Sequence, residues 1–235
     1  PDMVFIGAAI SFEENSSPNG SYDKSRLVGF FGNVNYGYDN RYFLDLSFRT
    51  DGSSKFGRNS RFAPFWSVGV AWNVHKEAFW SGDEKSSLKL RASVGSTGTT
   101  NFSSTQALTT YNYDFSKIYN GVFGVSLAGY GNPELKWQNT ISYNVGVDMT
   151  LLKGLVTFNG DFYIKNTENL LLPLTVAPST GFSSYVENIG KLRNTGIEGR
   201  LRLNLIRDTQ RDLRWNVTLS AFHNKSKITK LSNQL

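Results

Sequence analysis

The sequence lacks several residue types and patterns on which whole classes of protein depend. Cysteine is absent, and there are only two histidines and two methionines among 235 residues. Without cysteine there is no disulfide framework, no thiolate metal site and no thiol nucleophile. Two histidines leave little material for a metal cluster or a nucleophile–histidine pair. We therefore expect no cofactor, no metal and no enzymatic activity.

Long apolar runs are also missing. No stretch of about 18 apolar residues occurs, which excludes a transmembrane helix. The opening Pro1-Asp2-Met3 has neither the charged start nor the apolar middle of a signal peptide. The closing Ser232–Leu235 lacks a terminal aromatic residue. We expect all of 1–235 to be one domain fragment, processed or internal to a longer protein.

Concentrated charge of one sign is the third absence. Lysine and arginine number 25 against 19 aspartates and glutamates, a net charge of +6, and the excess is spread along the chain. A nucleic-acid-binding protein normally gathers its basic residues into a patch or stripe. We therefore expect no nucleic-acid partner.

The sequence is rich in aromatic residues, at 14%, and in alternation of apolar with polar positions. Val28, Phe30, Val34 and Tyr36 share one parity, for example, with asparagine and glycine among the positions between. An alternation of period two predicts strands with two different faces. It predicts about eight strands between 26 and 225, over 28–38, 42–49, 66–74, 88–95, 140–151, 156–165, 197–205 and 213–221.

Three features favour a membrane barrel over a soluble sheet. The strands have roughly ten residues, the length that a tilted strand needs to cross a bilayer. Short connections alternate with long ones at 50–64, 97–136 and 166–195, so the long loops fall on one side. Aromatic residues flank an aliphatic band on the apolar parity, as at membrane interfaces. The predicted fold is all-β: an antiparallel up-and-down transmembrane β-barrel, with long extracellular loops and short periplasmic turns.

Two other interpretations remain open at this stage. A soluble glycan-binding β-sandwich would show the same alternation, with the apolar faces forming its core. A small closed eight-stranded outer-membrane barrel with a structural role would show it too, and would require the first strand to pair with the last.

The charged positions of the polar parity are the candidate lining of a water-filled lumen. They would keep the wall hydrated and shape the passage. These lumen-facing candidates are Asp45, Arg49, Arg91, Asp148, Asp161, Lys165, Glu198, Arg200 and Arg202. Asp148 and Asp161 fall on neighbouring strands, where we expect Arg91 and Lys165 to balance them.

The segment 101–130 is rich in aromatic residues interleaved with asparagine and glycine. Such a loop can stack on sugar rings or grip a partner, and a loop packed on itself is equally compatible with this pattern. The candidate ligand or partner residues are Tyr111, Tyr113, Phe115, Tyr119 and Phe123.

Several collinear segments resemble the SusC/RagA branch of TonB-dependent outer-membrane transporters. They run from about 25 to 231, so the resemblance covers nearly the whole chain. Gln138 replaces the usual glutamate, and Phe65-Trp66-Ser67 replaces the more frequent F-P-S. The matching segments are YFLDLSFRTDGSSKF at 42–56, a strand with E-x-F at 65–79, LKLRASVGSTG at 88–98, GNPELKWQNT at 131–140, NIG at 188–190, N-x-G-I-E at 194–198 and W…N-K at 215–225.

This resemblance implies a fold and a set of partners. Members of the branch have a 22-stranded barrel with a plug domain inside, and this fragment would hold barrel strands without the plug. They import oligosaccharides, peptides or other large nutrients across the bacterial outer membrane. The implied partners are outer-membrane lipid, a SusD-like surface lipoprotein, the nutrient itself, and TonB through N-terminal parts outside this chain.

Overall fold

The computed structural model describes residues 24–56, 60–82, 85–99, 107–181, 184–208 and 213–231. This part of the chain is built from β-strands joined by turns and short 3₁₀ segments. No helix in these ranges has the length and apolar character required to span a membrane. The strands are β1 (Leu27–Tyr38), β2 (Tyr42–Ser53), β3 (Phe62–Asn73), β4 (Ser87–Thr99), β5 (Thr110–Tyr119), β6 (Val122–Gly129), β7 (Gln138–Leu151), β8 (Val156–Thr175), β9 (Ser184–Asp208) and β10 (Leu213–Lys230).

Eight of these strands form one sheet in the order β1-β2-β3-β4-β7-β8-β9-β10, and β5 and β6 form a separate hairpin. Every neighbouring pair is antiparallel. The connections therefore fall alternately at two ends, here named the short-turn end and the loop end. This meander confirms the predicted antiparallel up-and-down architecture.

The two edges of the sheet decide against a small closed barrel. β1 and β10 lie at opposite ends of the strand order. The described strands therefore form an open arc and do not close on themselves.

The sandwich interpretation fails for a separate reason. No second sheet covers the eight-stranded sheet within the described ranges. Only seven described apolar residues are buried, and the cluster that three of them form, Phe56, Phe65 and Trp137, lies at the loop end. A sandwich would instead bury the alternating residues of every strand.

The register aligns the apolar parity of all eight strands. Tyr36 lies opposite Leu44, Leu44 opposite Val70, and Val70 opposite Ala92. Directly opposed residues of an antiparallel pair point to the same side of the sheet. One face therefore collects the apolar positions, and we name it the apolar face; the other is the polar face.

The tight turns at the short-turn end explain why this register holds. Asp39 and Asn40 have φ values of 50° and 51°, the left-handed conformation that a two-residue hairpin turn of type I′ requires. Aspartate and asparagine tolerate it better than other residues with a side chain. Arg41 N donates to the carbonyl of Tyr38 at 2.9 Å and closes this turn. Arg41 is then one further residue before the ladder, which begins with Tyr38 opposite Tyr42.

The loop end differs most from the sequence-based prediction. The expected loop at 166–195 is largely strand, because β8 runs to Thr175 and β9 begins at Ser184. The expected loop at 50–64 is shorter, because β2 extends to Ser53 and β3 begins at Phe62. The expected loop at 97–136 contains the β5–β6 hairpin. In each case main-chain pairing continues beyond the point where the side-chain alternation weakens.

Candidate functional site

The apolar face is open across its whole width. Val70 is 49% exposed and Val145 is 60% exposed, while Leu44, Val147 and Leu203 are half-buried by their neighbours within the same layer. Isolated exposed apolar residues are normal, but a contiguous face of this size marks an interaction with lipid or with another protein.

The nine lumen-facing candidates all belong to the polar face. Asp45 lies opposite Gly69, Asp161 opposite Glu198, and Arg202 opposite Thr218. These pairs have the opposite parity to Leu44–Val70 and Leu201–Leu219 in the same ladders. The full set is Asp45, Arg49, Arg91, Asp148, Asp161, Lys165, Glu198, Arg200 and Arg202.

An ion-pair network lies in the middle of this face. Arg91 Nε is 2.7 Å from Asp148 Oδ2, and Arg91 Nη2 is 3.2 Å from Asp161 Oδ2. Asn159 Nδ2 donates to Asp148 Oδ1 at 2.8 Å. Gly146 provides the space, because a β-carbon there would lie 2.5 Å from Asp161 Oδ1. One guanidinium thus holds two carboxylates, and its planar fork suits this geometry.

Lys165 does not join that network. Its Nζ lies 4.9 Å from the ring centroid of Tyr163 on the same strand, a cation–π distance. The expectation that Arg91 balances the two aspartates agrees with the geometry, whereas Lys165 is occupied elsewhere.

A second ion pair lies towards the loop end. Arg49 Nε is 2.6 Å from Asp51 Oδ1, and Asp51 is buried. Asp51 and Gly52 pair with both β1 and β3, and Ser53 pairs with β1. The turn begins at Ser54.

A buried aromatic cluster ties two connections together at the loop end. Phe56 stacks on Trp137 with ring centroids 4.5 Å apart, and Phe65 meets the same indole edge-on at 5.5 Å. Trp137 Nε1 donates to the carbonyl of Arg61 at 3.3 Å. Gly98 leaves room for these rings, since a β-carbon there would lie 2.1 Å from Phe65. The cluster joins the β2–β3 connection to the segment that enters β7.

Asn188 fixes the other side of the same segment. Its Nδ2 donates to the carbonyls of Lys136 at 3.0 Å and Asn169 at 2.8 Å, and its Oδ1 accepts from Lys136 N at 2.9 Å. Asn132 Nδ2 donates to the carbonyl of Val186 at 3.2 Å. The segment 131–137 is therefore held between β3 and the β8–β9 pair. The sequence predicts neither contact, although both residues lie in segments that carry the family resemblance.

The short-turn end carries an aromatic belt held by one carboxylate. Tyr42 and Trp72 stack at 6.5 Å. Tyr42 Oη donates to Glu77 Oε1 at 2.7 Å, and Trp72 Nε1 donates to the same oxygen at 3.0 Å. These hydrogen bonds, with Tyr42 as the largest contributor, lower the pKa of Glu77. The sequence predicts the two aromatic residues at this interface but does not identify Glu77 as their shared acceptor.

The loop candidates lie in a hairpin rather than in an irregular loop. Tyr111 is 63% and Tyr119 is 87% exposed. Tyr113 and Phe115 belong to β5 and Phe123 to β6, but their side chains lie outside what the structure describes. The structure therefore neither gathers the five candidates into a site nor separates them.

No group of three or more His, Asp or Glu side chains in the described ranges could hold a metal ion. An open antiparallel arc of long strands, apolar on one face and charged on the other, defines a part of a transmembrane β-barrel.

Comparison with known sequences identifies the family. Residues 6–233 match the family model for the TonB dependent receptor-like β-barrel, so the chain belongs to this family. TonB-dependent receptor P3 of Formosa agariphila is 34% identical over 231 residues, covering 96% of this chain. TonB-dependent receptor SusC of Bacteroides thetaiotaomicron is 32% identical over 219 residues, covering 89%. The chain spans 22% and 21% of these relatives.

Solved structures agree with this assignment. The match to the RagAB peptide transporter covers 90% of this chain and 23% of the transporter chain, with a TM-score of 0.79 and 28% sequence identity. The siderophore receptor PirA from Pseudomonas aeruginosa matches with a TM-score of 0.57 at 15% identity, which shows the fold alone. Members of this family are receptors and transporters of the outer membrane, as the resemblance in the sequence implies.

Proposed function

We propose that this chain forms part of the barrel wall of a TonB-dependent importer that carries large nutrients, peptides or glycans, across a bacterial outer membrane. The observation that carries the proposal is the continuous division of eight strands into an apolar and a charged face. In this arrangement the apolar face contacts acyl chains and the polar face surrounds water. The named transporter among the similar structures imports peptides, which supports the nutrient class.

The polar face suits a pore wall along which a nutrient can pass without binding tightly. Asp148 and Asp161 are both paired with Arg91 within the network, so the wall is hydrated and neither of these carboxylates lacks an opposite charge. Large polar nutrients pass such a surface through exchangeable hydrogen bonds. Gating belongs to a plug outside this chain, and energy comes from TonB through N-terminal parts that are also outside it.

The test uses the whole receptor in cells that lack the native gene. Uptake of fluorescent peptides and oligosaccharides of graded size is measured with and without an uncoupler of the proton gradient. We expect energy-dependent uptake of at least one of the two classes, restored by the wild-type receptor. Uptake of neither class, with the receptor folded in the outer membrane, would reject the proposal.

The β5–β6 hairpin is the surface that we assign to a lipoprotein of the SusD type. Tyr111 lies opposite Leu127, and Val125 precedes Leu127 by two positions on the same side. Asn112 opposite Ser126 gives the other side a polar character. A two-stranded hairpin with an uncovered apolar side is marginal alone in water, which favours a partner on that side.

Replacing Tyr111 and Leu127 by serine in the whole receptor tests this assignment. The facing pair Tyr111 and Leu127 would be removed from the exposed apolar side, while the Asn120-Gly121 turn remains. We expect loss of co-purification with the lipoprotein and unchanged amounts of receptor in the membrane. The matched control replaces Asn112 and Ser126 by alanine on the polar side, and an equal loss in that control would contradict the assignment.

A further inference from the structure

Positive charge on the apolar side of the sheet is confined to one corner. On β10 the apolar run Val217, Leu219 and Ala221 continues at the same parity into His223, Lys225 and Lys227. On β9 the ladder partner of Lys227 is Arg193. We name Arg193, Lys225 and Lys227 the basic cluster. All three are exposed, and they lie just beyond the apolar band at the loop end.

The other strands show that this placement is local. In the register of the sheet, the apolar-parity positions of β1, β2, β3, β4, β7 and β8 carry no lysine or arginine. Lys191 shares the parity of the basic cluster, but its Nζ pairs with Glu168 Oε1 at 2.5 Å. The apolar-parity positions of β9 and β10 at this corner therefore carry positive charge that the same positions of the other six strands lack.

The cluster is unfavourable without an anion. Arg193 and Lys227 are direct partners across the β9–β10 ladder, and like charges in that relation destabilise a sheet. Arg193 Nε donates to a neutral group, Asn166 Oδ1, at 2.9 Å. Charge-assisted hydrogen bonds from guanidinium and ammonium groups suit a phosphate oxygen well. The arrangement calls for a negatively charged ligand.

An apolar groove leads to the same corner. A groove of about 550 Å³ on the apolar face is lined by Val147, Phe158, Gly160, Phe162, Ile197 and Ala221 and ends at His223. Gly160, Gly199 and Ala221 are successive ladder partners across β8, β9 and β10, so a row with no side chain larger than a methyl group crosses the floor of the groove. Ala221 and His223 line the groove and share the apolar parity of β10 with Lys225 and Lys227, so the groove lies next to the basic cluster.

We propose that this corner binds a phosphate-bearing lipid of the outer leaflet, with an acyl chain in the groove and its phosphate on Arg193, Lys225 and Lys227. The inference rests on the membrane orientation proposed above. Basic clusters next to an apolar membrane-facing surface recognise lipid head groups by this combination of charge and burial. The lipid would neutralise the like-charge pair and cover the groove at once.

The experiment titrates lipid A onto the delipidated whole receptor in mild detergent and follows binding by native mass spectrometry. Replacing the three cations by glutamine (R193Q/K225Q/K227Q) should weaken lipid A binding about tenfold or more. K225R/K227R should retain wild-type affinity. Ala221→Phe fills the groove and leaves the charges in place, so it should also weaken binding. Its effect separates a lipid site from a purely electrostatic surface.

The matched control is R200Q/R202Q on the polar face of the same strand, which should bind lipid A as the wild type does. Three outcomes would overturn the proposal: unchanged affinity in the triple-glutamine variant, equal binding of dephosphorylated lipid A by the wild type, or displacement of lipid A by millimolar inorganic phosphate with no effect of Ala221→Phe. If the apolar face did not enter a bilayer at all, neither detergent nor lipid would associate with the wild-type receptor, which distinguishes failure of the proposed function from failure of this site.

Discussion

At the scale of single residues, the parity of a position decides which solvent its side chain meets. Val70 and Ser67 show this on one strand, because they lie on β3 but on opposite faces. The alternation predicts these faces correctly, since a strand between two different environments needs a period of two.

Val70→Arg tests the apolar face directly. Arginine near the middle of the bilayer should lower the free energy of unfolding of the whole receptor in lipid vesicles by about 2–4 kcal/mol. Ser67→Arg on the polar face should cost clearly less. Denaturant unfolding of the two variants in the same vesicles measures both, and equal costs would show that the faces are assigned wrongly.

Glu77 gives a pH-dependent prediction. Its pKa is lowered from the ordinary value of 4.5 by the hydrogen bonds from Tyr42 and Trp72. A lowered pKa in the folded state means that the stabilisation is present above the ordinary value and is lost as the pH falls below it. We expect the fluorescence of Trp72 to change on acidification through that range.

The matching variant is Glu77→Gln, whose amide can still accept hydrogen bonds but does not titrate. It should remove the acid transition from the fluorescence. With five tryptophans in the chain, the difference between the two proteins is the measured signal. An identical transition in both would assign it to another group.

At the scale of elements, the sequence predicts the part of each strand nearer the short-turn end better than it predicts the structure at the loop end. β8 continues past Asn169, whose φ of 56° accompanies shifts of register, and the run Leu170-Leu171-Leu172 shows no alternation. These three leucines are all half-buried, so no period-two signal marks the start of this extension. The β5–β6 hairpin is also not predicted from the sequence, although Tyr111 and Leu127 lie on one side of it and Asn112 and Ser126 on the other.

The long-range contacts at the loop end are missed for a different reason. Trp137 meets Phe56, which lies far away in the sequence, and Asn188 bonds to the main chain of another connection. Neither contact is encoded in a local pattern. Only the resemblance of the segments 49–56, 131–140 and 188–190 to a known family marks these residues in advance.

Trp137→Ala should loosen a connection rather than unfold the wall. Removing a buried indole costs about 3–5 kcal/mol where the site cannot collapse, and here the loss falls on the segment 131–137. We expect faster amide hydrogen exchange in that segment, with exchange in β2 and β3 unchanged. Trp66→Ala is the matched control, because Trp66 is exposed on the apolar face; faster exchange of 131–137 in that variant too would contradict the role of the cluster.

At the scale of the whole molecule, the open arc has two unsatisfied edges and one uncovered apolar face. Unpaired strand edges and large apolar surfaces both promote association in water. We therefore expect the isolated 235-residue chain to aggregate in buffer and to fold only with detergent or lipid and with further strands. Size-exclusion chromatography with light scattering measures this, and a monodisperse, folded monomer without detergent would contradict the membrane assignment.

The long pairing of β8 with β9 carries a mechanical consequence. The ladder runs from the membrane band to Thr175 and Ser184 at the tip, and Asn188 braces it against the segment before β7. The ladder shifts register between Thr167 and Leu171, where Asn169 has a φ of 56°, and such a bulge bends the ribbon. Asn188 donates to the carbonyl of Asn169 at 2.8 Å, so the same side chain that braces the ribbon also holds this bend. In the importer proposed above, a surface partner resting on the tip of this ribbon would take its direction from the bend that Asn188 fixes.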